Sequence, residues 1–416
     1  MNNPEHVVVA GAGLAGLRTV EELRGRGYAG RLTLVGAETR LPYDRPPLSK
    51  KLMIGELDDT TLRPDLDALD VQARLAESAV GLSDGVLATV TAAGDARRYD
   101  FDALVLATGA SPVTLPGDGR QHVLRTLDDA LELRARLRPG VALAIVGAGW
   151  IGAELATAAV ARGCQVTVVE AGAVPLAAAV GPEVGGRTAA WYAAAGVDLR
   201  LGQAVDSVRP GGLALAGGDW LPADVVVTAV GVRPAVSWLA GSGVQLGNGI
   251  CVDGQLRTSV PGVFAVGDCA AFQSARYGAR LRFEHWDVAL HAPEVAAANV
   301  LGGSETYDPV PYFWSEQFGR MVQYVGYHGG AGQLIWRGDP EAAEPPGGPG
   351  APGAAPGRAG HRWAAAWLDG DRLVALLSVN APRDMLQGRR VISSGAPVDP
   401  ARLADPQIPV RDCVLT

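Results

Sequence analysis

Lysine is nearly missing from this chain: Lys50 and Lys51 are the only two among 36 basic residues. No basic run occurs, and the formal net charge of −8 argues against a nucleic-acid partner. Cysteine is equally scarce. Cys164, Cys251, Cys269 and Cys413 show neither Cys-x-x-Cys nor metal-ligand spacing, and none precedes position 164. That distribution excludes a thiol relay in the first part of the chain. Cys164 and Cys269 adjoin apolar strands and are expected to pack as small hydrophobes. The six histidines also lack ligand spacing, so no metal is expected. No Ser/His/Asp or Cys/His constellation is present for nucleophilic catalysis. No charged-then-apolar leader precedes the first apolar run, which leads to the expectation of a cytoplasmic location. The stretch from Val141 to Ala161 is apolar, but its three spaced glycines and Glu154 read as strand, loop and helix rather than a membrane span.

What is present is a balance of 48% hydrophobic and 19% charged residues over 416 positions, enough for about two to four domains. Within it, a glycine signature occurs twice. Gly11-Ala12-Gly13-Leu14-Ala15-Gly16 follows Val7-Val8-Val9-Ala10, and Gly147-Ala148-Gly149-Trp150-Ile151-Gly152 follows Val141 to Val146. The first glycine of such a loop makes the turn from strand to helix. The second lets backbone approach a pyrophosphate, and the third packs helix on strand, with the helix N-terminus facing the anion. One loop is a weak signal; two in full strand–loop–helix context imply two bound dinucleotides and electron transfer between them.

An acidic residue follows each loop at the end of the next strand. Glu38 closes Arg31 to Gly36, and Glu170 closes Gln165 to Val169. A carboxylate there suits a free ribose 2′-OH and repels a 2′-phosphate. No arginine follows Glu170 through Val180, so NADH is expected in preference to NADPH. Leu104-Val105-Leu106-Ala107-Thr108-Gly109 reads as a strand ending in a small-residue turn where backbone can approach a cofactor. Val225 to Gly231 repeats that plan, and Val263 to Asp268 reads as a buried strand closing on Gly-Asp. The expected fold class is α/β: two Rossmann-like FAD/NAD(P)-binding domains plus an α+β C-terminal domain. The expected boundaries are 1–111 with 239–309, an inserted 112–238, and 310–416. In the tail, Trp314, Phe318, Trp336, Trp363 and Trp367 alternate with polar residues, and Leu373 to Val379 reads as a strand, predicting an antiparallel sheet with helices near the end. Residues 345–360 hold only Pro, Gly, Ala and one Arg, which predicts a flexible loop at about 340–360.

With the paired loops, an ordered series of segments resembles the single-component, FAD-containing, NADH-dependent ferredoxin reductases of glutathione-reductase-like fold. The series is Tyr43-Asp44-Arg45-Pro46-Pro47-Leu48-Ser49-Lys50, the Ala-Thr-Gly ending at Gly109, and Trp150-Ile151-Gly152-Ala153-Glu154. It continues with Val263 to Asp268, Glu284-His285-Trp286-Asp287-Val288-Ala289, and Val310-Pro311-Tyr312-Phe313-Trp314-Ser315. The resemblance spans nearly the whole chain. It implies FAD at Gly11, Gly13, Leu14, Ala15, Gly16, Glu38, Arg45, Lys50, Ala107, Thr108, Gly109, Asp268, Trp286 and Trp314. It implies NADH at Gly147, Gly149, Trp150, Ile151, Gly152, Glu154, Glu170 and Gly231. Among these, Lys50, Glu154 and Trp286 are the implied catalytic residues, with Glu154 meeting Lys50 so that each charge lowers the other's desolvation cost.

The implied activity is hydride transfer from NADH to FAD, then single electrons to a 2Fe–2S ferredoxin serving a haem monooxygenase or a ring-hydroxylating dioxygenase. The protein would be a monomer or homodimer. Lys51, Arg45, Arg276, Arg280, Arg282 and Arg320 flank the implied flavin segments and are expected to provide local attraction for an acidic ferredoxin. Two alternatives share the fold. A disulfide reductase, NADH peroxidase or NADH oxidase would require cysteine beside the flavin, and an NADH-sensing flavoprotein resembling apoptosis-inducing factor would release electrons slowly.

Overall fold

Val7, Val8 and Val9 have no exposed surface, as a parallel strand covered on both faces requires, and a continuous apolar run is the sequence mark of that burial. The computed structural model describes residues 4–342 and 360–415. The expected loop at 345–360 lies almost wholly outside the described residues. The chain packs as two compact units. The first comprises residues 1–44, 60–111 and 232–311, and the second residues 45–59, 112–231 and 312–416.

In the first unit, five parallel strands run in the order Val263–Ala265, Ala103–Leu106, His6–Ala10, Arg31–Gly36, Gln72–Leu75. Helix Leu14–Gly25 leaves the central strand through the first glycine loop and packs against helix Trp286–Val300. A three-stranded antiparallel sheet, Glu77–Ser83, Val86–Thr91 and Ala96–Asp100, belongs to the same unit.

The second unit repeats the plan with four parallel strands in the order Asp198–Arg200, Gln165–Val169, Ala142–Val146, Val225–Thr228. Helix Trp150–Ala161 follows the second glycine loop. The aromatic-rich tail forms the expected antiparallel sheet, in the order Tyr312–Gln317, Arg320–Gly326, Arg372–Val379, Trp363–Asp369, Gln333–Arg337. Helices Pro382–Ser394 and Pro400–Ala404 follow it. The expected α/β class, two Rossmann-like sheets and a C-terminal antiparallel domain, is what the chain adopts. Residues 45–59, placed by the sequence reading in the first domain, instead pack with the second unit. One reason is Arg134, whose guanidinium donates to the carbonyls of Leu52 and Leu57 and to the Asp58 carboxylate. Among the described residues, no helix is long and apolar enough to cross a membrane.

The fully buried Arg337 pins the end of the chain. Its guanidinium pairs with Asp384 at 2.8 Å and donates to the carbonyls of Leu403, Asp405, Pro406 and Ile408. A buried guanidinium is tolerated because its donors are occupied in this way.

Candidate functional site

The two glycine loops share one geometry. Gly11 has φ +122, and a Cβ there would lie 2.1 Å from the Ala107 carbonyl oxygen; Gly147 has φ +104, and its Cβ would lie 2.5 Å from that of Ala229. A Cβ on Gly16 would fall 1.8 Å from the Gly11 oxygen, and one on Gly152 would fall 2.0 Å from the Gly147 oxygen. Side chains are therefore excluded by the protein itself at the first and third positions. At the middle positions, Gly13 and Gly149, nothing lies within 4 Å. Each middle glycine caps its helix with extended backbone and no side-chain capping bond. The absence of a side chain there leaves open space at a helix N-terminus, the chemistry of an anion cradle.

In the first unit, Ala107 and Thr108 stand against Gly11, and the Thr108 hydroxyl donates to the Ala235 carbonyl at 2.9 Å. Gly267 closes on Ala15 in the first turn of helix Leu14–Gly25, which brings the half-buried Asp268 beside the glycine cradle. Glu38 accepts from the Tyr43 hydroxyl at 2.5 Å. Trp286 donates its indole N–H to Asp44 at 2.7 Å. Burial pushes the Asp44 carboxyl above the ordinary carboxylate range, and the Trp286 donor opposes that rise. Burial also holds the neighbouring His285 imidazole down to about 4, against the pull of Asp268, so it is neutral at pH 7.

In the second unit, Glu154 is 2% exposed and is the fifth residue of helix Trp150–Ala161. Lys50 Nζ approaches its Oε2 to 2.8 Å, the Ser49 hydroxyl donates to the same oxygen, and the Ser315 hydroxyl donates to Oε1 at 2.6 Å. A carboxylate this deep in the protein is stable only with such partners. Glu170 is held by its own loops: its oxygens accept from the Ala148 amide at 2.8 Å and the Gly172 amide at 2.7 Å.

Residues 5–292 match the pyridine nucleotide-disulphide oxidoreductase family, and residues 312–345 and 354–414 match the reductase C-terminal domain. The ferredoxin–NAD(+) reductase component of the p-cumate 2,3-dioxygenase system of Pseudomonas putida is 36% identical, covering 98% of each chain. The chain belongs to the NADH-dependent ferredoxin reductases of that family. Among solved structures, Fdr9 matches with a TM-score of 0.89 and 46% identity, covering 98% of this chain and 99% of its own. The covalent putidaredoxin reductase–putidaredoxin complex matches with a TM-score of 0.89 and 30% identity over 99% of this chain and 98% of that one.

In this ferredoxin reductase the expected FAD residues divide. Gly11, Gly13, Leu14, Ala15, Gly16, Glu38, Ala107, Thr108, Gly109, Asp268 and Trp286 belong to the first unit, whereas Arg45, Lys50 and Trp314 fold with the second. Arg45 donates to the Arg125 carbonyl, and the Trp314 ring stacks on Tyr312 at 5.9 Å. Of the expected NADH residues, Trp150 meets Phe313 ring to ring at 4.9 Å, Ile151 is exposed, and Gly231 has open space around it. Two expected docking arginines are corrected. Arg320 is 3% exposed, with its guanidinium 4.9 Å over the Trp191 ring, and Arg282 is paired with Glu284 at 2.7 Å with a side chain 8% exposed. Neither presents charge to a partner.

Sequence reasoning assigned nothing to Ser49 or Ser315, although both lie inside segments that carried the resemblance. It also missed Arg200, which parallel pairing in register with Val169 brings next to Glu170.

Proposed function

We propose that this ferredoxin reductase takes a hydride from NADH onto FAD and passes single electrons to a 2Fe–2S ferredoxin, which serves a haem monooxygenase or a ring-hydroxylating dioxygenase. The observation that carries this reading is the pair of matching glycine cradles, one in each unit, each open only at its middle glycine. In the first, Gly13 and the following helix N-terminus would hold the FAD pyrophosphate, with Glu38 at the ribose and Asp268 at the ribityl side. In the second, Gly149 and its helix would hold the NADH pyrophosphate, with Glu170 beside the ribose. Bound FAD supplies the conversion of a two-electron hydride into one-electron steps.

The chain's own residues supply position and charge. Lys50 and Glu154 form a fixed ion pair one helical turn from the NADH cradle, so neither charge needs to find a partner when water leaves. Trp286 is held by Asp44 in one orientation. Burial raises the thiols of Cys164, Cys269 and Cys413, which disfavours thiolate and supports an electron path without a sulfur relay. A cytoplasmic location, with access to NADH, belongs to the same reading.

Stopped-flow mixing of the FAD-loaded protein with NADH, then with an oxidised 2Fe–2S ferredoxin, tests it. The expected result is rapid bleaching of the flavin followed by one-electron reduction of the ferredoxin. A persistent long-wavelength charge-transfer band indifferent to ferredoxin would instead identify an NADH-sensing flavoprotein.

A further inference from the structure

An edge strand of the C-terminal sheet, Tyr312–Gln317, packs along helix Trp150–Ala161 within the second unit. Phe313 meets Trp150 at 4.9 Å, the Ser315 hydroxyl meets Glu154 at 2.6 Å, and the Phe318 amide donates to the Thr157 hydroxyl at 2.9 Å. Phe313 and Ser315, alternate residues of the strand, and Phe318 just beyond its end thus meet helix positions 150, 154 and 157, three or four apart on one helix face. Ser315 is the polar member of this seam and has no exposed surface.

Its hydrogen-bond direction is fixed. An ionised carboxylate only accepts, so Ser315 must donate to Glu154. The Gln317 side-chain amide, also fully buried, donates to the Ser315 oxygen at 3.1 Å and fills its accepting side. Turning that amide over would leave Ser315 between two acceptors, one of them at 2.6 Å. Glu154 is consequently clamped from both ends: Oε1 by Ser315, and Oε2 by Ser49 and Lys50. Lys50 has one further acceptor, the Pro46 carbonyl at 3.3 Å. The carboxylate that orients the Lys50 ammonium is therefore itself oriented from the C-terminal domain.

We propose that Ser315 is a positioning residue for hydride delivery from NADH, acting through Glu154 on Lys50. This rests on the function proposed above. The nucleotide's pyrophosphate is assigned to the Gly149 cradle, whereas the Ser315 hydroxyl bonds Glu154 and Gln317, so loss of Ser315 should lower the limiting rate of flavin reduction and leave NADH affinity nearly unchanged.

The test is a double-mutant cycle on FAD-loaded protein with Ser315→Ala, Glu154→Gln and the pair. The expected result is a roughly tenfold fall in the limiting rate for Ser315→Ala, the worth of about one charge-assisted hydrogen bond. The NADH dissociation constant should move by less than about twofold, and Ser315→Ala should have almost no further effect once Glu154 is Gln. Ser315→Thr, which keeps the hydroxyl, should restore most of the rate.

A second readout needs no turnover. With only two lysines in the chain, 15N-lysine labelling gives one side-chain ammonium signal each for Lys50 and Lys51. Ser315→Ala should shift the Lys50 signal and speed its exchange with water while leaving Lys51 in place. Equal losses in both Glu154 backgrounds, or an unchanged Lys50 signal, would overturn the proposal. Failure of NADH to reduce the unmodified protein would instead remove the functional reading beneath it.

Discussion

Gly149 and Gly152 stand three residues apart, and their replacement by alanine should produce opposite failures. A Cβ on Gly149 meets nothing within 4 Å, and its φ of −77 and ψ of −171 are open to any residue. Gly149→Ala should therefore fold with nearly unchanged stability, since a slightly poorer helix cap is offset by a less flexible unfolded chain. The methyl group would stand where a pyrophosphate must approach backbone. Loss of one charge-assisted hydrogen bond, about 1.5–3 kcal/mol, raises the NADH dissociation constant roughly tenfold to a hundredfold. Gly152→Ala places a Cβ 2.0 Å from the Gly147 oxygen, and Gly147 cannot retreat because its own α-carbon faces the Ala229 carbonyl. That overpacking should destabilise the protein by about 3 kcal/mol. Thermal unfolding of the FAD-loaded proteins and the NADH dependence of flavin reduction measure the two effects. Binding of NADH by Gly149→Ala within twofold of the unmodified protein, or a loss of stability as large as that of Gly152→Ala, would refute these roles.

Arg337→Ala leaves four carbonyls and the Asp384 carboxylate without their buried donor, so a loss of about 3–5 kcal/mol is expected; urea unfolding gives its size, and limited proteolysis should cut first after residue 400. His285 is held down to about 4 in the native state against an ordinary 6.5. As pH falls through 6.5 the unfolded chain takes up a proton at this position that the native state refuses, so the contribution of His285 to stability is constant above about 6.5 and declines toward 4. His285→Gln should flatten that part of the urea-midpoint profile, and a profile identical to the unmodified protein's would count against the assignment. Lys51 is exposed, so Lys51→Glu should raise the KM for an acidic ferredoxin most strongly at low salt. Arg320→Glu should chiefly lower the melting temperature, because it buries an acid against Trp191; a purely salt-dependent change in ferredoxin KM would refute that placement.

The sequence made the glycine loops legible because their demands are local: each is a strand, a turn and a helix within about twenty residues. The parallel strands and the tryptophan-bearing C-terminal sheet were legible for the same reason, through apolar runs and alternation. The Lys50–Glu154 pair was reached only through family resemblance, since its members lie in segments that only the fold brings together. Ser315 carries no signal of its own, as an isolated serine in a strand is commonplace. Arg320 and Arg282 were misread because arginine ordinarily marks a surface, whereas here a guanidinium lies over an indole ring and another is closed off by Glu284. The placement of residues 45–59 rests on contacts across about 80 to 105 positions, Arg134 to the Leu52 and Leu57 carbonyls and Lys50 to Glu154 among them, which no local pattern announces.

Glu170, proposed above to stand beside the NADH ribose, is also a fastener for its own loop. Replacing it with a smaller or basic residue to admit a phosphorylated coenzyme would strip acceptors from the Ala148 and Gly172 amides together. Retooling this reductase for NADPH therefore calls for a second acceptor to rebuild the loop, and Arg200, already alongside in the sheet, is the natural place to recruit positive charge.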